Sequence, residues 1–240
     1  MRFDVITIFP RWFEALEVTK IWSRAQENGL VDFRVHDLRD FAEGPHRTVD
    51  DVPFGGGPGM VLKVEPLVKA VESVEAMPGR KILCTTPQGR PLTQAWAEEL
   101  SRLPQLVIIA GRYEGVDERF VEGWVDETFS IGDYVLSGGE LPAMVLVETV
   151  GRLIPGVVGD AESVASDSFT SGRLKFPQYT RPAVFRDREV PGVLRSGNHA
   201  QIEKWRMEKS VERTRAKRPD LLEESKMTRS SSHERTRNYR

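Results

Sequence analysis

Two apolar, β-branched runs that each stop at a glycine limit this chain most: Val107-Ile108-Ile109-Ala110 before Gly111, and Thr128-Phe129-Ser130-Ile131 before Gly132. Runs hydrophobic at consecutive positions read as strands buried on both faces, and a terminal glycine lets backbone approach a neighbour closely. The second run enters a polar loop with Gly132, Gly138 and Gly139, then a helical pattern from Leu141 to Leu153. Pro142 sits near the start of that helix, where its missing N–H costs nothing. Both loops would therefore lie at strand C-termini, where open α/β sheets bind ligands.

The rest of the first half repeats this alternation. Phe3 to Ile8 reads as a strand, and Trp12, Phe13, Leu16, Thr19, Ile21 and Trp22 predict one amphipathic helix closing at Asn28-Gly29. A strand Val31 to His36 follows, then a glycine-rich, charged loop from Phe41 to Met60, then a helix opened by Pro66. Ile82 to Thr85 predicts a strand, Pro87 to Pro91 a loop, Thr93 the cap of a helix through Trp96 and Leu100, and Leu106 to Ala110 another strand. The expected fold class is α/β, a mostly parallel sheet with helices on both faces. From Pro155 to Pro177 the pattern lapses into Gly, Ser and Asp, which marks a boundary. Beyond it, Asn198 with Gln201 three residues later opens a helix carrying Ile202, Trp205 and Val211. The expected units are therefore 1–158, a linker 159–175, a small, mainly helical basic domain 176–226, and a Ser/Arg-rich disordered tail 227–240.

Charge supports that division. Up to Lys175 there are 18 basic and 27 acidic residues, and from Phe176 onward 16 and 9. A basic module suits a polyanion, because Lys and Arg that neutralise phosphates release condensed counterions; the bland alternative is a solvated helix surface and a ragged tail. No apolar run reaches the roughly 18 to 20 residues that span a bilayer. The chain starts directly with a strand pattern, so a soluble, cytoplasmic protein without membrane contact is expected. The single cysteine, Cys84, lies within a core strand pattern and is expected to be a buried, inert thiol.

Several chemistries lack their residues. Pro53 to Met60 has successive glycines but neither a Gly-Lys-Ser/Thr ending nor a strand running straight into a helix, so a close-approach loop fits better than a phosphate loop. The four histidines, His36, His46, His199 and His233, have no metal-ligand spacing, and no metal site is expected. There is no Gly-x-Ser-x-Gly elbow. Asp167, in Asp167-Ser168-Phe169, reads by itself as a turn residue or cap.

Taken in order, Pro53 to Met60, Gly111-Arg112-Tyr113-Glu114-Gly115, Ile131 to Glu140, Asp167-Ser168-Phe169, Tyr179-Thr180-Arg181-Pro182 and Gly197-Asn198-His199-Ala200 resemble the bacterial tRNA (guanine-N1)-methyltransferases of the SPOUT superfamily. The likeness runs from Met1 to about Leu222. It implies a trefoil knot on the C-terminal side of the sheet, a homodimer, and S-adenosyl-L-methionine bound bent in the knot. It further implies transfer of the methyl group to N1 of the guanine just 3′ of the anticodon in tRNA, which protects the reading frame.

Carried over by position, the resemblance assigns cofactor contacts to Pro87, Gly111, Tyr113, Glu114, Ser130, Ile131, Gly132, Asp133, Tyr134, Val135, Leu136, Gly138, Gly139 and Pro142. Asp167 matches the general base and Arg152 its partner at guanine O6. Gly57, Gly59, Ser168, Asn198, His199 and Arg206 match substrate-binding positions. Dependence on a divalent ion, magnesium, is also implied, without a protein cage for it. Lys175 departs from the pattern, since many relatives carry an acidic residue there. The rival readings are another SPOUT enzyme acting on a different nucleotide, a non-catalytic RNA-binding protein, and a nucleotide-binding protein using Gly55 to Gly59.

Overall fold

A computed structural model describes residues 1–159 and 166–223. The expectations for residues 160–165 of the connecting segment, for 224–226, and for the tail 227–240 lie outside the described residues. The chain divides into two compact units, Met1–Ala161 and Glu162–Arg240.

In the first unit, strands β1 (Arg2–Thr7), β2 (Asp32–Asp37), β5 (Lys81–Pro91), β6 (Gln105–Ile109) and β7 (Glu127–Ser130) form one sheet in the order β2-β1-β6-β5-β7. Every neighbouring pair is parallel. The burial pattern explains why these sequences are apolar at consecutive positions. Phe3 and Val5 of β1, Leu83 of β5, and Leu106 and Ile108 of β6 enter one core. Ile6, Ile82, Cys84, Val107 and Ile109 enter another. Successive side chains of a strand point to opposite faces, so a strand covered on both sides can spare no polar position.

Helices α2 (Lys20–Glu27), α4 (Gln94–Leu100) and α6 (Glu140–Gly151) supply the first core, and α3 (Val64–Ser73) and α5 (Glu118–Trp124) the second. On α6, Leu146, Val147 and Val150 are fully buried, each contributing roughly 1.5–3 kcal/mol. A short antiparallel pair, β3 (Asp50–Asp51) and β4 (Val61–Leu62), stands outside the main sheet.

Three local expectations are corrected. The single helix predicted over Trp12 to Trp22 is broken into a 3-10 turn (Pro10–Phe13), a short α1 (Glu14–Glu17) and α2. Thr19 turns extended between the helices and donates its hydroxyl to the Leu16 carbonyl at 3.3 Å. The break lets both Phe13 and Trp22 reach the core. Pro66 is the third residue of its helix, which starts at Val64. The Pro87–Pro91 segment is not a plain loop. It bulges out and returns, so that Thr85 and Arg90 both pair with Phe129.

The second unit contains a two-stranded hairpin, β8 (Val184–Phe185) and β9 (Arg188–Glu189), a 3-10 turn over Gly192–Arg195, and α7 (His199–Lys217). Asn198 caps α7 by accepting the Gln201 amide at 3.2 Å, as the Asn-x-x-Gln spacing requires. Among the described residues no helix is long and apolar enough to cross a membrane.

Candidate functional site

Three loops meet on the C-terminal side of β5, β6 and β7: the bulge after Thr85, the Gly111 turn after β6, and the segment from Ile131 to Gly139 after β7. They are bonded to one another. The Thr85 hydroxyl accepts the Gly111 amide at 2.9 Å, and the Gly139 amide donates to the Gly111 carbonyl at 2.7 Å. Leu92 donates to the Ser130 carbonyl at 2.8 Å. A Cβ at Gly139 would run into Thr85 Oγ1 and the backbone of Ala110 and Gly111. One at Gly89 would strike the Phe129 backbone. The glycines are there because main chain touches main chain.

A buried charged network braces this junction. Arg112 Nε donates to Glu140 Oε2 at 2.8 Å, and Nη1 reaches the Ser137 carbonyl at 3.0 Å. Glu140, only 1 % exposed, also accepts the Thr7 hydroxyl at 2.9 Å. A carboxylate so enclosed persists only with a full set of donors. Arg112 thereby ties the first turn of α6 to the 131–139 loop, and its guanidinium lies 4.6 Å from the centre of the Phe9 ring. Phe9 also borders a cavity of about 620 Å³ with Ile8, Pro10, Arg11 and Trp12, at the ends of β1 and β2.

Within the third loop, Ser130 Oγ donates to the Gly132 carbonyl at 3.0 Å and accepts the Gly132 amide at 3.2 Å. Gly132 has φ +151°, and the Tyr134 ring folds back over it, its hydroxyl on the Ile131 carbonyl at 3.1 Å. Asp133, Tyr134, Val135 and Leu136 are left exposed, while Pro142 is buried in α6. Tyr113 takes a left-handed conformation, φ +61°, which is rare for a residue with a bulky side chain. The Glu114 amide donates to the Met60 carbonyl at 2.9 Å, and the Glu114 side chain covers Gly59. The glycine segment 53–60 is thus brought to the same edge, with Gly55, Gly56 and Gly57 in open space. Pro87 is exposed on the bulge.

Arg152 lies at the opposite end of α6, as its C-terminal cap. The 12 residues of α6 separate it from Gly139, a rise of about 20 Å at 1.5 Å per residue. Within one chain Arg152 and the glycine junction are therefore not neighbours. Between them, Leu141 and Val145 expose apolar side chains on α6, and Val135 and Leu136 are exposed in the loop that precedes it.

Asp167 belongs to the second unit, in a tight loop closed by bonds from the Phe169 amide to Arg173 O (2.8 Å) and from the Gly172 amide to Phe169 O (2.9 Å). Two hydroxyls of α7 grip the end of that loop. Thr214 Oγ1 accepts the Leu174 amide at 2.9 Å, and Ser210 Oγ donates to the Leu174 carbonyl at 2.7 Å. Lys175 Nζ sits 2.9 Å from Asp167 Oδ1, and the Lys175 amide donates to Ser168 Oγ at 2.9 Å. Asp167 lines a cavity of about 140 Å³ with Arg173, Lys175, Glu203 and Arg206. Arg206 lies over the Phe176 ring at 4.9 Å and pairs with Glu203, and His199 is exposed at the start of α7.

Thr7, Thr85, Gly89, Arg112, Glu140, Ser210 and Thr214 have structural parts that sequence reasoning had not assigned. A charged residue directly after Gly138-Gly139 and before an apolar helix, and a Ser and Thr four apart on a basic one, were the available signals. Cys84 is buried, which pushes its thiol up to about 12. Among the described residues no three His, Cys, Asp or Glu side chains lie close enough to hold a metal ion. The described residues thus do not fit a protein-held magnesium.

The family model for tRNA (Guanine-1)-methyltransferase TrmD matches residues 1–224. A tRNA (guanine-N(1)-)-methyltransferase of Citrifermentans bemidjiense is 52% identical over 224 residues, covering 93% of this chain and 90% of the relative. The enzyme so named from Geobacter sulfurreducens is 51% identical over 231 residues, 96% and 94% of the two chains. One from Pseudomonas fluorescens is 53% identical over 225 residues, 93% and 90%. A match that runs through both units and all three glycine loops leads to one conclusion: the chain belongs to the tRNA (guanine-N1)-methyltransferase family.

Proposed function

We propose that this protein methylates N1 of the guanine immediately 3′ of the anticodon in tRNA, in the cytoplasm, with the methyl donor seated on the three bonded loops and Asp167 as general base. The family is one of methyltransferases whose methyl donor is S-adenosylmethionine. The observation that supports the assignment of the donor site is the junction of Thr85, Gly111 and Gly139, where main chain packs against main chain and the ends of three loops are held together. Tyr113, Tyr134, Val135 and Leu136 add exposed apolar and aromatic surface on the same edge, the surface an adenosyl group requires. Glu114 offers a carboxylate for a ribose hydroxyl or an ammonium. The hydrogen bonds that join the 85–92, 111–115 and 130–139 loops support a trefoil knot at this end of the sheet.

When bound, the donor supplies a sulfonium methyl already activated for attack. Neutral guanine N1 carries a proton and is a poor nucleophile, so the Asp167 carboxylate takes that proton as the N1–CH3 bond forms and the S–CH3 bond breaks. Negative charge then grows on guanine O6, where the Arg152 guanidinium stabilises it. Because Arg152 stands about 20 Å along α6 from the glycine junction, a complete site takes residues from two copies of the chain. The exposed Leu141, Val145, Val135 and Leu136 support a homodimer through that face. In this reading residues 1–158 bind the donor, 159–175 bring the base, and the basic α7 with Asn198, His199 and Arg206 grips phosphates while the base is splayed out. Gly57, Gly59 and Ser168 line the path of the RNA.

Incubation with unmodified tRNA and methyl-labelled donor, followed by nucleotide mapping, tests the function. Label at N1 of that guanine is expected, and label on another base or a ribose would replace this reading with a different methyl transfer. Mixing Gly139→Ala with Asp167→Asn copies tests the dimer. Turnover that neither parent shows is expected after subunit exchange, and continued inactivity contradicts a shared site.

A further inference from the structure

We propose that Lys175 is a positioning residue for Asp167, holding the carboxylate in one orientation and in its ionised form until the substrate base arrives. The inference rests on the reading of Asp167 as general base. Its own support is geometric: the ammonium is 2.9 Å from Asp167 Oδ1, and the two side chains are 24 % and 25 % exposed. The Lys175 backbone is fixed independently, its amide on Ser168 Oγ and its carbonyl accepting Arg213 Nη1 at 3.2 Å. The adjacent Leu174 is held from both sides by Ser210 and Thr214 of α7. The lysine stem therefore starts from an anchored point, and its head reaches back eight residues to the carboxylate.

Among the described residues, the other charged groups lining the same cavity are Arg173 on the loop, and Glu203 and Arg206 on α7. Glu203 is matched with Arg206 at the helix surface. Arg173 and Lys175 thus remain as the cations on Asp167's own loop, and Lys175 is in contact with it. An opposite charge at hydrogen-bond distance favours the ionised carboxylate and lowers the pH at which it becomes protonated. A base must be unprotonated before the guanine enters, so Lys175 extends the pH range over which the loop is ready. As the carboxylate accepts the guanine proton, the attraction weakens and the ammonium is released to solvent. A hydrophobic or acidic residue at 175 would lose this control while leaving the backbone bonds in place.

The test is the pH profile of single-turnover methylation with saturating donor and tRNA, for wild type, Lys175→Met, Lys175→Glu and Lys175→Arg. The acid limb is expected to move up by about one pH unit in Lys175→Met, further in Lys175→Glu, and to stay near wild type in Lys175→Arg. The plateau is expected to stay within about threefold, with KM for donor and tRNA unchanged. Superposed profiles for all four proteins overturn the proposal. So does an equal loss at every pH that Lys175→Arg does not repair, because that is the mark of packing alone. An Asp167→Asn control separates the two layers. If it keeps turnover, Asp167 is not the base and both readings fail; if it loses turnover while the Lys175 profiles superpose, only the role of Lys175 falls.

Discussion

The glycine junction of the first unit and the Asp167 loop of the second are held by opposite means. At the junction, backbone lies against backbone and a carboxylate 1 % exposed receives Thr7 and Arg112. In the Asp167 loop, two helix hydroxyls hold a single residue, Leu174, and the carboxylate itself rests on a lysine at a partly open cavity. Interfering with the first means opening a close-packed interior. Changing the second means breaking a few polar bonds that water can replace. On the proposed reading, this contrast would serve a site that grips a small cofactor and yields to a large RNA, with a preorganised donor platform and an adjustable base.

Breaking the buried network should have the largest effect. Glu140→Ala leaves Arg112 without its carboxylate, and a loss of about 3–5 kcal/mol in urea unfolding is expected, with donor binding abolished. A loss below 1 kcal/mol would mean the junction is not braced as described. Next comes Gly139→Ala, whose methyl group has no room against Thr85 and Gly111. Calorimetry should show donor affinity reduced by roughly 100-fold, since small displacements at a preorganised site are costly.

On the other side of the contrast, Thr214→Val leaves the Leu174 amide without its acceptor. The expected cost is about 1–2 kcal/mol, with faster amide exchange confined to the loop and donor binding unchanged. Should the same substitution weaken donor binding tenfold, the two regions are not independent. The smallest effect concerns acid. Asp4, at the end of the sheet away from the junction, is buried, which opposes its ionisation; hydrogen bonds from His36 and Gln105 and the charge of Arg2 more than offset this, and its carboxyl titrates below the ordinary 3.8. A depressed folded value means that the stabilisation is fully present above the ordinary value and is lost as pH falls toward the folded one. Thermal unfolding of Asp4→Asn should therefore lose part of its pH dependence below about pH 4, while the Asp167 loop is unaffected.

Much of the platform was legible in the sequence because its causes are local. Strands buried on both faces must be apolar at consecutive positions, and the run Leu106 to Ala110 announced β6 to within a residue at each end. Asn198 with Gln201 announced the cap of α7 for the same reason. What was not legible depends on contacts between distant positions. Thr7 and Glu140 are 133 residues apart, and nothing in either neighbourhood advertises the other. The grip of Ser210 and Thr214 on Leu174 likewise hides in a helix whose basic residues suggested only a nucleic-acid face. The position of Arg152 at the end of α6 was legible, because the helical pattern from Leu141 to Leu153 already ended around it. Lys175 stood out as a departure from a pattern, but its contact with Asp167 came only with the loop's closure.

The central claim is that donor binding and proton removal reside in separate, differently built parts of the molecule. Asp167→Asn, measured by donor calorimetry and by single-turnover methylation of tRNA, tests it most directly. Donor affinity within about twofold of wild type, with methylation slowed by about 100-fold or more, is the predicted result. Methylation at the wild-type rate, or loss of donor binding together with turnover, would contradict it.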